Sequence, residues 1–101
     1  MTEFLYSEIK RLQIPPLYAN EEVENPLVLM ELQLAGFGWR WFVTECEIQD
    51  GDVLFYGYVE GDCPEWGYFR LSDLQNQSLP YFIARDFQPK LFSELKKDLQ
   101  E

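Results

Sequence analysis

Glu45 and Glu47 stand two positions apart in the run FVTECEI. On a strand, both carboxylates point the same way about 7 Å apart, a separation at which paired carboxylates perform acid and base chemistry. Neighbouring acids on a wet strand arise equally well without chemistry, and no sugar-binding cleft can be argued for a chain of 101 residues. Glu60, Asp62 and Glu65 offer oxygen ligands for Ca²⁺, but their spacing fits no EF-hand loop and lacks its closing bidentate glutamate. They read as a solvated acidic loop.

Cys46 and Cys63 form no C-x-x-C motif, and the chain contains no histidine. That removes the Ser-His and Cys-His nucleophile pairs and the usual His-containing zinc sites. The glycines at 36, 38, 57, 61 and 67 read as turn or bulge glycines and make no phosphate loop, which needs a lysine and a following helix. No catalytic residue, metal or cofactor is assigned.

The formal charge of −10 is unevenly placed. Residues 21–69 hold eleven acids against one base, Arg40, while the flanks carry seven of each sign. A phosphate backbone is repelled by such a centre, so direct nucleic-acid binding is disfavoured and a basic protein partner is favoured. No run approaches the ~20 apolar residues that span a bilayer, and the N-terminus lacks the order of a signal peptide. The expectation is a cytoplasmic single domain over residues 1–101.

The elements that must position these acids follow from periodicity. Phe4, Leu5, Ile9 and Leu12 recur at near-helical spacing before Pro15 and Pro16, predicting a short N-terminal helix. Residues 17–26 read as a connecting loop pinned to the body by Leu17 and Tyr18. From Leu27 the period becomes two, and strands are expected over 27–34, 39–48, 53–60 and 67–71. Turns fall at Gly36-Phe37-Gly38 and at Asp50-Gly51, the stronger hairpin signal. Ser72 is placed to cap a brief helical turn at 72–75, and residues 76–88 read as irregular with an edge strand near Phe82–Arg85. Pro89 and KLFSELKKDLQE predict a C-terminal helix. The fold class is α+β: an antiparallel β-meander of about four strands flanked by an N-terminal and a C-terminal helix.

With Asp50 and Gly51 at the turn, Ile48 opposes Val53, Cys46 opposes Phe55 and Phe42 opposes Val59. Centring the first hairpin on Phe37 sets Leu32 against Phe42 and Met30 against Thr44. Both registers then put Phe42, Cys46, Ile48, Val53, Phe55 and Val59, with Val28, Met30 and Leu32, on one oily face. Cys46 reads as a buried thiol, badly placed to bridge to Cys63.

The opposite face collects rings and carboxylates, and its candidate binding residues are Glu31, Trp41, Glu45, Glu47, Tyr56, Tyr58, Glu60, Tyr68 and Arg70. Two arrangements satisfy this pattern. In one the face is an open interaction surface anchored by Trp41, Tyr56 and Tyr58. In the other the rings are half-buried under residues 76–88 and the acids solvate the sheet edge.

The segments LYAN at 17–20, GFGWRWFVTE at 36–45, FYGYVEG at 55–61, PEWGYFRLSDL at 64–74 and RDFQPKLFSEL at 85–95 resemble a bacterial family, the domain of unknown function numbered 2958. The resemblance runs from Leu17 to Leu95, and Trp66 stands where that family more often has an aliphatic residue. It implies a small protein frequently encoded on mobile elements, with no established activity and no catalytic residue to carry over. Small acidic proteins of such elements are often inhibitors of host defence enzymes, an analogy of context alone.

Two functions follow as expectations. The first is a non-catalytic binding protein, an inhibitor or nucleic-acid mimic whose acidic aromatic face docks on a basic groove of a nucleic-acid-handling or defence protein. On that reading, charge reversal at Glu45 and Glu47 weakens binding without unfolding the domain. The second is a small-ligand or peptide-binding module with an aromatic pocket lined by Trp41, Tyr58 and Tyr68. Homodimerisation through the acidic face is opposed by like charge, and the sequence fixes no oligomeric state.

Overall fold

A computed structural model describes residues 2–36, 38–76 and 80–100. The chain runs α1 (Thr2–Arg11), β1 (Leu27–Val28), β2 (Met30–Leu34), β3 (Arg40–Gln49), β4 (Asp52–Glu60), β5 (Glu65–Arg70), α2 (Leu71–Gln75), β6 (Tyr81–Ile83), β7 (Lys90–Leu91) and α3 (Phe92–Leu99). The expected class and the two flanking helices are present. The strand count is higher than about four: five antiparallel strands form one sheet in the order β5-β4-β3-β2-β6, and β1 pairs with β7 as a separate ribbon.

The tight turn after β3 sets the first register. Gly51 takes φ of 76°, a left-handed backbone that glycine adopts without a side-chain clash, and Ile48 faces Val53 while Cys46 faces Phe55, as the sequence predicts. Beyond Cys46 the count fails. A β-bulge between Val43 and Glu45 inserts Thr44 as an extra residue, so Phe42 faces Tyr58 rather than Val59. The Thr44 hydroxyl donates to the Tyr56 carbonyl at 3.1 Å across the bulge.

Gly57 makes this approach possible, because a Cβ there would lie 1.8 Å from the Phe42 carbonyl oxygen. The first hairpin is likewise one residue out, with Leu32 facing Trp41 and Met30 facing Val43. Its predicted centre, Phe37, lies outside the described residues.

The bulge decides which rings are core. Trp41 and Val43 turn onto the oily face with Met30, Leu32, Cys46, Val53, Phe55 and Phe69. Leu5 and Ile9 of α1 and Leu71 and Leu74 of α2 close this core. Phe42 moves the other way and is buried against Val28 and Leu95, with Phe87, Phe92 and Tyr58 packed around it. The sheet is therefore covered on both faces, by α1 and α2 on one and in part by α3 on the other, which accounts for the near-continuous burial from Trp41 to Cys46.

The segment expected to be irregular supplies β6, which extends the sheet edge by pairing with β2 and does not roof the aromatic face. That role falls to α3. Asn25 fixes its start from a distance: its carbonyl accepts from the Ser93 backbone N–H at 2.9 Å and its amide donates to the Ser93 hydroxyl at 3.0 Å, occupying a donor that a helix N-terminus leaves free. Ser72 caps nothing; its hydroxyl donates to Asp52 at 2.8 Å and ties α2 to the start of β4.

Candidate functional site

Glu45 organises the acidic face. Its side chain is 4% exposed, and its two oxygens accept the backbone N–H groups of Tyr18 at 2.8 Å and Asn20 at 2.9 Å. The Asn20 amide also donates to the Thr44 carbonyl at 3.4 Å. Tyr18 adopts φ of 72°, a left-handed backbone uncommon for a residue with a side chain, and the Glu45 carboxylate holds it there. The 17–26 segment, expected as a loop pinned near Tyr18, is thus bound to the sheet by a buried acid.

Folding that segment over the sheet leaves a groove of about 490 Å³. Thr44, Glu45, Tyr56, Trp66 and Tyr68 line the sheet side, Tyr18, Asn20, Glu21, Val23, Glu24 and Pro26 the opposite bank, and Phe92 one end. The rings form a continuous surface: Tyr56 lies 5.9 Å from Trp66 with planes 19° apart and 4.9 Å from Tyr68, and Trp66 lies 4.7 Å from Phe92. Tyr68 is 52% exposed. Its phenol is held above the ordinary tyrosine range, first by desolvation, then by a hydrogen bond with Tyr18 and by the charges of Tyr18, Tyr56 and Glu45.

The nine candidates separate into groups. Glu45, Tyr56 and Tyr68 line the groove. Tyr58 contacts its end through Trp66 and Phe92, at 5.5 and 4.9 Å, and burial followed by the charge of Glu60 raises its phenol. Trp41 is no surface anchor: the bulge turns it into the main core, 8% exposed, beside Trp39 and Phe69. Glu31 is 3% exposed and accepts from the Arg40 guanidinium at 2.6 Å, with Gln33 donating to the same oxygen. It is a buried ion-pair member and takes no part in an open surface.

Glu47 is exposed and accepts from Gln49 at 2.7 Å. Although Glu45 and Glu47 share a face, one is buried and the other solvated, so no common cleft joins them. Charge reversal at Glu45 cannot leave the fold untouched. Arg70 lies at the far end of β5, donating to Gln49 at 2.8 Å with Asp52 at 3.9 Å. Glu60 is half-buried at the end of β4. Among the described residues no cluster of three or more acids or cysteines is placed to hold a metal ion.

Sequence reasoning missed Glu21, Glu24, Trp66 and Phe92. The available signals were Tyr18 in a loop otherwise rich in acids, and Trp66, two residues before Tyr68 and so on the same side of β5.

The segments LYAN, WFVTE, FYGYVEG and EWGYF meet at this groove. No curated protein and no solved structure matches the chain. A family model described as "Protein of unknown function (DUF2958)" matches residues 8–96, and the chain belongs to that family.

Proposed function

We propose that this protein is a non-catalytic binding module that captures a basic partner protein in the groove between residues 18–26 and the sheet. The observation that carries this reading is the groove itself: five aromatic rings set among carboxylates, on a chain whose entire charge excess lies between residues 21 and 69. Rings with polar tips supply contact area at low entropic cost, and the acidic bank steers a basic surface into encounter. Tyr56, Trp66 and Tyr68 are the anchors on this reading, in place of Trp41.

A partner that handles nucleic acid has the basic surface this groove fits, and occupying that surface would exclude phosphate. The protein would then act in the cytoplasm as an inhibitor or mimic. The concave shape favours a protruding segment of the partner over a flat apposition, which brings the peptide-binding reading and the inhibitor reading together.

Affinity capture from lysate of the native host, at about 50 mM and about 500 mM salt, tests the proposal. It predicts capture of a basic nucleic-acid-binding protein at low salt, lost at high salt and lost in Glu21→Lys with Glu24→Lys. Capture of the chain itself alone, or capture indifferent to both salt and charge reversal, would overturn it.

A further inference from the structure

Buried carboxylates in proteins are ordinarily matched by a cation. Among the described residues ion pairs reach Glu8, Glu31, Asp52 and Asp98, but none reaches Glu45, Glu21 or Glu24. Among the described residues Glu45 accepts two backbone amides and meets no cation, and its charge is felt by Tyr68 in the groove wall. Glu21 and Glu24 add two exposed carboxylates on the opposite bank.

We infer that the groove seats an arginine side chain of the partner protein, its guanidinium packed against the Trp66 and Tyr68 rings and meeting the carboxylates of Glu21 and Glu24. The inference rests on the binding reading above and names what that site takes. A guanidinium is planar and weakly hydrated, stacks on ring faces and carries five donors, whereas an ammonium is compact and strongly hydrated. A surface that is aromatic below, with the Tyr68 ring inclined 58° to Tyr56, and carboxylate-lined above offers ring faces and acceptors that match the first better than the second. The volume of about 490 Å³ falls within the ~300–1,000 Å³ of ligand pockets, room enough for one long side chain and its flanking backbone.

The test is a titration of the full chain with acetyl-Gly-Arg-Gly-amide and its lysine and citrulline counterparts, followed by the Tyr18 and Asn20 amide signals and the Trp66 indole signal in NMR. The arginine peptide is expected to shift all three saturably and more tightly than the lysine peptide, and the neutral citrulline peptide to leave them in place. Tyr68→Ala, at a half-exposed position, should weaken the response about five-fold, and Glu21→Gln with Glu24→Gln should weaken it without disturbing the fold.

Equal responses to arginine and citrulline, tighter binding of lysine, or no shift at these signals would each overturn the inference. No peptide response alongside salt-sensitive partner capture would sink the arginine seat alone. An arginine-specific response with no basic partner captured would sink the partner reading alone.

Discussion

The Glu45 carboxylate and the Tyr18 backbone N–H, 27 positions apart, meet at 2.8 Å and bind the 17–26 segment to the centre of the sheet. One buried acid thereby builds the far bank of the groove. Glu45→Ala removes the acceptor of two amides, each worth about 1.5 kcal/mol when the acceptor is charged, partly recovered because the freed amides can reach water. The expected loss is about 2 kcal/mol in urea unfolding, with the Tyr18 and Asn20 amides losing hydrogen-exchange protection. Unchanged protection of both would contradict the latch.

Gly57 is required by the bulge. Gly57→Ala places a Cβ against the backbone carbonyl of Phe42, an atom that cannot rotate away, and should cost about 3 kcal/mol. Gly67, the facing residue on β5, has nothing within 4 Å of its Cβ position. Gly67→Ala should fall within about 0.5 kcal/mol of the parent. Similar urea midpoints for the two variants would show that β3 and β4 do not approach as described.

Among the described residues Glu31 and Arg40 form the one ion pair with a buried member. Hydrogen bonding to Glu31 raises the Arg40 guanidinium above its ordinary range, and its head also lies 5.0 Å from the Phe42 ring centroid. Arg40→Ala strands a buried carboxylate and should cost about 2 kcal/mol, toward the low side because Arg40 is itself partly exposed. Pairing Arg40→Leu with Glu31→Leu should recover most of that loss. A double variant as unstable as Arg40→Ala would mean that the charge pair, rather than its packing, holds this corner.

Much of the fold is legible because periodicity and turn chemistry are local. Asp50-Gly51 alone fixes the pairs Ile48 with Val53 and Cys46 with Phe55. The candidate site is less legible, because it depends on a single extra residue. Thr44 enters the bulge without a sequence mark of its own, and the alternation that puts Trp41 beside Glu45 is reversed N-terminal to it. Gly57 marks the close approach, but a glycine in a strand does not say which partner residue is bulged. The groove's far bank comes from a segment about 25 residues distant, joined through backbone amides that side-chain patterns do not encode.

Cys46 and Cys63 should behave as opposites. Cys46 is 5% exposed on the main core, and burial pushes its thiol from 9.0 up to about 11, while Cys63 lies exposed in the turn after β4. At about pH 8 a disulfide reagent should find one fast thiol in the native protein, with the second reacting only as the chain opens. A thiol whose folded pKa lies above its unfolded value binds its proton more tightly in the native state. Its contribution to stability is therefore whole below about pH 9 and falls as the pH rises toward about 11. The Tyr58, Tyr68 and Tyr81 phenols are also raised, so the wild-type slope alone would not isolate the thiol. Cys46→Ala removes one proton from that balance and leaves the tyrosines in place. Urea midpoints of the two proteins between about pH 8 and 10.5 should accordingly converge as pH rises, and parallel curves would mean that Cys46 is not buried in the folded chain.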